Sequence, residues 1–201
     1  MVRYGMVIDL NTCVGCNACT IACKTEYATP HGIFYCKVLE KETGKYPNAK
    51  RIYIPVLCNH CKEAPCVDVC PTGASHKRED IGIVLIDHDK CIGCGACIVA
   101  CPYKQRFRNP GNQQYYEEGL TPYEKLVYTK LEKGVVYKCN FCLDRLDKGL
   151  EPSCVQSCPT NCRVFGDFDD PKSKITKMVR ERNASQLLPE LGTDGGVYYV
   201  Q

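Results

Sequence analysis

VIDLNTCVGCNACTIAC at residues 7–23 and LIDHDKCIGCGACIVAC at residues 85–101 are the two stretches that decide the fold. Nine of their seventeen positions are identical at an offset of 78 residues, which indicates an internal duplication. In each copy three cysteines follow one another at steps of three, and a fourth comes four residues later. Two copies of so specific a spacing predict that the cysteines act together as ligands.

A second repeat lies between and after these copies. PCVDVCPT at residues 65–72 and SCVQSCPT at residues 153–160 share the pattern CVxxCPT, and each follows a CxxC pair. The spacer before the second piece is longer, with eleven residues instead of four, and predicts a longer loop there. The chain therefore holds four groups of four cysteines, in the order Cys13, Cys16, Cys19, Cys23; Cys58, Cys61, Cys66, Cys70; Cys91, Cys94, Cys97, Cys101; and Cys139, Cys142, Cys154, Cys158.

The abundance and spacing of cysteine favour iron–sulfur clusters over disulfide bonds and over zinc. The chain has 18 cysteines in 201 residues but only 4 histidines and no tryptophan. A disulfide scaffold is typical of smaller domains and spreads its cysteines over the fold, whereas zinc sites usually combine two separated CxxC pairs. The spacing C-x2-C-x2-C-x3-C is instead that of bacterial ferredoxins, in which the fourth cysteine binds a different cluster from the first three. We therefore expect 4Fe–4S clusters.

Linear distances suggest how the groups pair. Only twenty residues separate Cys70 from Cys91, so the segment from Cys58 to Cys101 resembles a complete two-cluster ferredoxin inserted into the chain. The outer groups would then pair with each other, nesting one unit inside the other. Sequential pairing, first with second and third with fourth, remains possible from the spacing alone.

The expected fold class is α+β, with two nested bacterial two-cluster ferredoxin-like units. Residues 1–32 and 138–171 form the outer unit, and residues 58–103 form the inner one. A hairpin insertion spans 33–57, a tyrosine-rich insertion 104–137, and a C-terminal helix and tail 172–201, with Pro171 at the start of that helix. The tyrosines of the insertion are equally suited to covering the core and to contacting a partner. Cys36 and Cys162 belong to no group, and we interpret them as a buried small apolar residue and a bystander thiol. His60 and His88 lie near cluster loops, but sixteen cysteines suffice as ligands.

The four groups, with the pieces MVIDLNTCVGCNACTIACK, LCNHCKEAPCVDVCPTGA, KCIGCGACIVACPY and KCNFCLDRLDKG, resemble the four-cluster iron–sulfur subunit of the dimethyl-sulfoxide reductase family of molybdopterin oxidoreductases. The resemblance covers residues 1–171, and in size and motif wording it points to the small subunits of polysulfide, thiosulfate and arsenate reductases. It implies nested pairing and four 4Fe–4S clusters. The implied ligand sets are Cys13, Cys16, Cys19 with Cys158; Cys139, Cys142, Cys154 with Cys23; Cys58, Cys61, Cys66 with Cys101; and Cys91, Cys94, Cys97 with Cys70.

The same resemblance implies an electron-transfer subunit that is not an enzyme on its own. Its expected partners are a large molybdopterin-containing catalytic subunit and a quinone-linked membrane anchor or soluble carrier. A free-standing polyferredoxin is the alternative, whereas a radical enzyme is disfavoured because such enzymes need C-x3-C-x2-C and an iron with an open position. The sequence contains no recognisable catalytic motif.

Charge and hydropathy exclude other classes of function. Each oxidised 4Fe–4S cluster with its four thiolates carries about −2, so four clusters change the formal charge of +3 to about −5. Nucleic-acid binding thereby loses its electrostatic support. No apolar run approaches the length of a membrane span, and the first residues carry no export signal. We expect a periplasmic location by co-export with the catalytic subunit, or a cytoplasmic complex as the alternative.

Overall fold

A computed structural model describes residues 2–111, 114–128 and 131–201. The fold is mixed α/β, with short helices and small sheets. Its strands are β1 (Tyr4–Asp9), β2 (Cys36–Thr43), β3 (Lys50–Leu57), β4 (Ser75–Arg78), β5 (Ile83–Ile86), β6 (Phe107–Arg108), β7 (Val136–Tyr137), β8 (Arg163–Asp167) and β9 (Val197–Val200). Its helices are α1 (Ala18–Tyr27), α2 (Pro65–Asp68), α3 (Ala96–Ala100), α4 (Pro122–Val127), α5 (Leu143–Leu146), α6 (Ser153–Gln156) and α7 (Lys174–Glu181).

A three-stranded sheet joins the two ends of the chain. β1 lies in its middle, antiparallel to β8 and parallel to β9. Alternate side chains of β1 point to opposite faces of the sheet. Met6 and Ile8 are fully buried among aromatic and cysteine side chains on one face. Val7 packs on the other face with Ile175 of α7. The extended tail expected near the C-terminus is therefore a strand of the protein's own sheet.

Three antiparallel hairpins surround this sheet. β2 and β3 pair from Cys36 with Leu57 to Thr43 with Lys50, which forms the strand–turn–strand unit expected within 33–57. β4 and β5 form a shorter hairpin between the second and third cysteine groups. β6 and β7 pair across the tyrosine-rich insertion. Each hairpin therefore lies between cysteine groups and leaves their loops intact.

The helices follow the cysteine motifs closely. α1 carries Cys19 and Cys23 and continues to Tyr27, because a lysine stands where the other three groups have a proline immediately after the last cysteine. α3 ends at Ala100, two residues before Pro102, which cannot donate a helical hydrogen bond. Within the described residues, no helix has the length and apolar character needed to cross a bilayer.

The predicted start of the last helix was wrong. α7 begins at Lys174 and not at Pro171. The side chain of Ser173 accepts a hydrogen bond from the backbone N–H of Thr176 at 3.3 Å. Serine at this position satisfies one of the free N–H groups of the first turn, and this cap outweighs the preference of proline for the first helical position.

The tyrosine-rich insertion packs at least in part on the protein itself. α4 begins with a capping box in which Thr121 and Glu124 bond to each other's backbone N–H. The Tyr115 hydroxyl donates to the carbonyl oxygen of Thr29 at 3.0 Å, and the Tyr123 hydroxyl donates to that of Thr25 in α1. The insertion therefore covers one end of α1, while Tyr116 remains exposed.

Candidate functional site

The first cysteine loop and the last cysteine of the fourth group line one small cavity. Gly15 has φ +70°, and a side chain there would collide with the Tyr53 ring of β3, so the loop needs glycine. The loop leads into α1, which directs Cys19 inward. β8, next to β1 in the sheet, begins directly after Cys162 and brings this end of the chain alongside. The cavity is lined by Cys13, Cys16, Cys19, Cys158, Cys162 and Arg163, among others.

Another set of thiols, taken from the first and fourth cysteine groups, is buried near α1 and α6. The two helices pack against each other and bring Cys23 of the first group close to Cys154 of the fourth. Burial raises the pKa of the Cys23 thiol, and the neighbouring thiols of Cys154 and Cys142 raise it further. Burial likewise raises the pKa of Cys139, and the thiol of Cys23 adds to that effect. These four thiols therefore share one buried region.

A further set of thiols lies where the second cysteine loop meets the end of α3. Burial raises the pKa of Cys61 to about 12, and the thiols of Cys58, Cys66 and Cys101 contribute in the same direction. Cys66 lies on α2, which packs against α3. Cys101 follows α3 directly. The structure thus brings a cysteine of the third group to three of the second.

The remaining cysteines either follow α2 or lie in the loop and first turn of α3. Cys97 on α3 is buried, whereas Cys94 is exposed. The Cys91 sulfur accepts a hydrogen bond from the Val136 N–H at 3.5 Å, and the Cys70 sulfur accepts one from the Ser75 N–H at 3.3 Å. Burial raises the pKa of Cys70, but backbone hydrogen bonds, including the one from Ser75, outweigh burial and lower it.

The donor set fits iron–sulfur clusters. All eighteen cysteines are free of disulfide bonds. Among the residues that the structure describes, no three His, Cys, Asp or Glu side chains converge as a single metal ion requires, but the four thiolates of a 4Fe–4S cluster bind four different iron atoms. Burial raises the pKa of several of these thiols, so they need a bound cation to ionise. The iron atoms of a cluster would supply that positive charge.

The two cysteines outside the groups, Cys36 and Cys162, contact residues of the candidate cluster sites. Both are buried. The Cys162 sulfur lies 3.5 Å from the Cys158 sulfur. A hydrogen bond from Cys36, together with the charge of Arg163, lowers the pKa of Cys19 to about 5 against the effect of burial. Cys36 is thus buried as expected and also donates a hydrogen bond, and Cys162 contacts the candidate ligand Cys158.

Two buried arginines were missed by the sequence analysis. Arg106 is 3% exposed and Arg163 is 2% exposed. Arg163 Nη2 lies 3.1 Å from the Cys36 sulfur, and its Nη1 lies 3.7 Å from the Cys154 sulfur. Arg106 Nη2 donates to the Ser75 hydroxyl at 2.7 Å. The only sequence signal is position, because each arginine follows the last cysteine of a group by five residues.

The two histidines near the loops have structural roles. His60 is buried, its Nδ1 accepts the Val84 N–H at 3.2 Å, and its ring stacks on Phe141 with 3.9 Å between centroids. Burial lowers the pKa of His60, and the nearby charges of Lys138 and Arg106 lower it further, which keeps the ring neutral. His88 lies against Tyr137 with 4.2 Å between ring centroids. Both rings therefore pack on aromatic side chains of the protein.

Buried free thiols on ferredoxin-type loops define an iron–sulfur electron-transfer protein, and comparison with known proteins specifies its family. A family model described as a 4Fe-4S dicluster domain matches residues 49–117 and 113–168, and one described as a 4Fe-4S binding domain matches residues 10–26.

Relatives that match nearly the whole of this chain agree with these family models. The iron-sulfur subunit of arsenate respiratory reductase from Shewanella sp. (strain ANA-3) is 42% identical, over 99% of this chain and 96% of the relative. One subunit of the selenate reductase of Mesobacillus selenatarsenatis is 41% identical over 99% of this chain and 72% of the relative. One subunit of the tetrathionate reductase of Salmonella typhimurium is 40% identical over 98% of this chain and 72% of the relative.

The chain belongs to the family of iron–sulfur subunits of molybdopterin oxidoreductases. Members of this family are electron-transfer subunits of reductase complexes and are not catalytic alone. The resemblance seen in the cysteine motifs is thereby confirmed.

Proposed function

We propose that this chain holds four 4Fe–4S clusters and relays single electrons between a large molybdopterin-containing catalytic subunit and a quinone-linked membrane anchor or soluble carrier. When bound, such clusters supply one-electron redox chemistry. The observation that carries the proposal is the gathering of cysteines from distant groups, as in the cavity lined by Cys13, Cys16, Cys19 and Cys158.

The proposed ligand sets are nested. In the outer unit, residues 1–32 and 138–171, Cys158 completes the first set and Cys23 completes the set of Cys139, Cys142 and Cys154. The pairing of β1 with β8 and the packing of α1 on α6 support this arrangement. In the inner unit, residues 58–103, Cys101 completes the set of Cys58, Cys61 and Cys66, and Cys70 completes the set of Cys91, Cys94 and Cys97. The packing of α2 on α3 supports that arrangement.

The other segments support these two units. The hairpin within 33–57 covers the first loop through Tyr53. The insertion 104–137 packs on α1, and the tail 172–201 supplies β9 and α7 to the outer sheet. All three segments therefore pack on the first loop, α1 or β1.

Two exposed regions suit contacts with redox partners. Cys16 of the first loop is exposed beside Val14, and Cys94 of the third loop is exposed beside Ile92. Val14 is 59% exposed and Ile92 is 68% exposed. The family resemblance implies that the set of Cys13 lies nearest the molybdenum subunit and the set of Cys91 farthest from it. We therefore assign the Cys16 region to the catalytic subunit and the Cys94 region to the membrane anchor or carrier. The complex is expected at the outer face of the cytoplasmic membrane, reached by co-export.

Purification from the native source tests this function. The chain should copurify with a molybdopterin-containing subunit, and the isolated chain should be reduced by dithionite yet turn over no oxyanion or sulfur compound. Isolation as a monodisperse monomer that donates electrons to several unrelated enzymes would contradict the proposal and indicate a polyferredoxin.

A further inference from the structure

Two buried arginines occupy matching positions in the two proposed units. Arg163 comes five residues after Cys158 in the outer unit, and Arg106 comes five residues after Cys101 in the inner unit. Each of these cysteines completes the set formed by a loop elsewhere in its unit. The match indicates that each unit contains a buried arginine at an equivalent place.

Neither arginine has a conventional counter-charge. Among the described residues, no carboxylate forms an ion pair with Arg106 or Arg163. Arg106 Nε and Nη1 and Arg163 Nε are buried without a hydrogen-bond partner. A buried guanidinium is strongly destabilising unless negative charge lies nearby. Thiolates and cluster sulfides are the negative groups available.

The surroundings of Arg163 place it between the two outer sets. Its Nη1 lies 3.7 Å from the sulfur of Cys154, a ligand of the second set. Its charge also interacts with Cys19, a ligand of the first set. Cys36 of β2 holds the other end of the guanidinium at 3.1 Å.

Arg106 occupies the corresponding place in the inner unit. Its charge interacts with Cys66 and Cys58 of one set and with Cys97 of the other. Ser75 accepts its Nη2 hydrogen bond at 2.7 Å. Ser75 follows Cys70 by five residues, whereas the equivalent position after Cys23 is Ala28, which has no hydrogen-bonding side chain. In the outer unit, Cys36 therefore accepts the arginine Nη2 hydrogen bond that Ser75 accepts in the inner unit.

We propose that Arg106 and Arg163 are positioning residues, each a cation shared by the two clusters of its unit, and that each raises the reduction potential of both. The inference rests on the proposed ligand sets. Reduction adds one negative charge to a cluster, and a fixed cation in a water-poor interior stabilises that charge more than it would in water. One arginine would thereby keep two neighbouring clusters at potentials suited to exchange.

Redox titration followed by electron paramagnetic resonance tests this on the intact chain, with iron content measured in parallel. Arg163→Gln should lower both outer potentials so that the ratio of reduced to oxidised cluster at a fixed potential falls about tenfold, or about 59 mV for one electron. The inner potentials should stay unchanged. Arg106→Gln should lower both inner potentials by the same amount and leave the outer potentials unchanged. Arg78→Gln is the matched control, because Arg78 is exposed and pairs with Asp80.

Lysine variants separate charge from packing. Arg163→Lys and Arg106→Lys should keep full iron. In each, the ratio of reduced to oxidised cluster at a fixed potential should stay within about threefold of the wild-type ratio. A glutamine variant with full iron and no shift, a shift confined to one cluster, or loss of iron from the lysine variants as well would each overturn the proposal.

The same samples distinguish this inference from the proposed function. If wild-type chain binds fewer than four clusters, the ligand sets fail before any arginine variant is considered. If it binds four and the shifts are absent, the clusters are correct and the role of the arginines is wrong.

Discussion

Replacement of Cys158 tests the nested ligand sets most directly. Cys162 lies only 3.5 Å away and offers a substitute thiol, so the variant should be Cys158→Ala combined with Cys162→Ala. In the nested arrangement this variant removes the fourth ligand from the set of Cys13, Cys16 and Cys19. Because Cys16 is exposed, a cluster with three ligands there is open to solvent, and we expect its complete loss.

The size of the effect follows from the proposed stoichiometry. Four 4Fe–4S clusters give about sixteen iron atoms per chain, and loss of one leaves about twelve. Anaerobic alkylation followed by mass spectrometry should then label three thiols that are protected in the wild type, namely Cys13, Cys16 and Cys19. Cys162→Ala alone is the control and should keep about sixteen iron atoms.

Sequential pairing makes a different prediction for the same variant. Cys158 would then belong with the third group, and alkylation would label Cys91, Cys94 and Cys97 while the first loop stays protected. That result would refute the nested arrangement, whatever the iron content.

Three further predictions concern other parts of the chain. Cys36→Ser and Cys162→Ser should keep full iron content, and loss of one cluster's iron from either would make that cysteine a ligand. Gly93→Ala should lower iron content by about one cluster, since Gly93 has φ +66° and a Cβ there would collide with the carbonyl oxygen of Gly134; the comparison is Gly73→Ala, where nothing lies within reach. Burial raises the pKa of Asp9, but hydrogen bonds from Arg182 and Asn11 outweigh burial and lower the pKa below its usual value. The Asp9–Arg182 pair therefore stabilises the fold above pH ~4 and loses that effect as the pH falls below it. Asp9→Asn should cost about 1 kcal/mol in unfolding free energy at pH 7 and less at pH 3; an equal cost at both would contradict this.

The cysteine loops were predictable from sequence because ligand type and spacing are fixed by cluster chemistry. The hairpin of β2 and β3 was predictable for a similar local reason, namely alternating residues around a turn. The two buried arginines were not predictable. A basic residue near a cysteine motif is usually solvated, and only the packing of distant segments shows that Arg106 and Arg163 are enclosed.

The start of α7 and the contacts of Cys36 and Cys162 were not predictable for other reasons. Both Pro171 and Ser173 are favoured near a helix start, and only the backbone geometry decides between them. Cys36 contacts Arg163 across 127 positions of sequence, so nothing in the neighbourhood of Cys36 in the sequence indicates its partner. Cys162 lies only four residues from Cys158, but residue type alone does not distinguish a ligand cysteine from a neighbouring cysteine that only contacts it.

The central sheet has a consequence for the order in which the protein is made. Tyr4 of β1 pairs with Asp167, and Met6 pairs with Val197, so β1 lacks both strand partners until residues 163–200 have been synthesised. The segment from Cys58 to Cys101 emerges much earlier, and its own hairpin, β4 with β5, is local. Contacts between distant segments form more slowly than local ones. The first cysteine loop, which follows β1, is therefore expected to reach its final surroundings later than the local hairpin of β4 and β5.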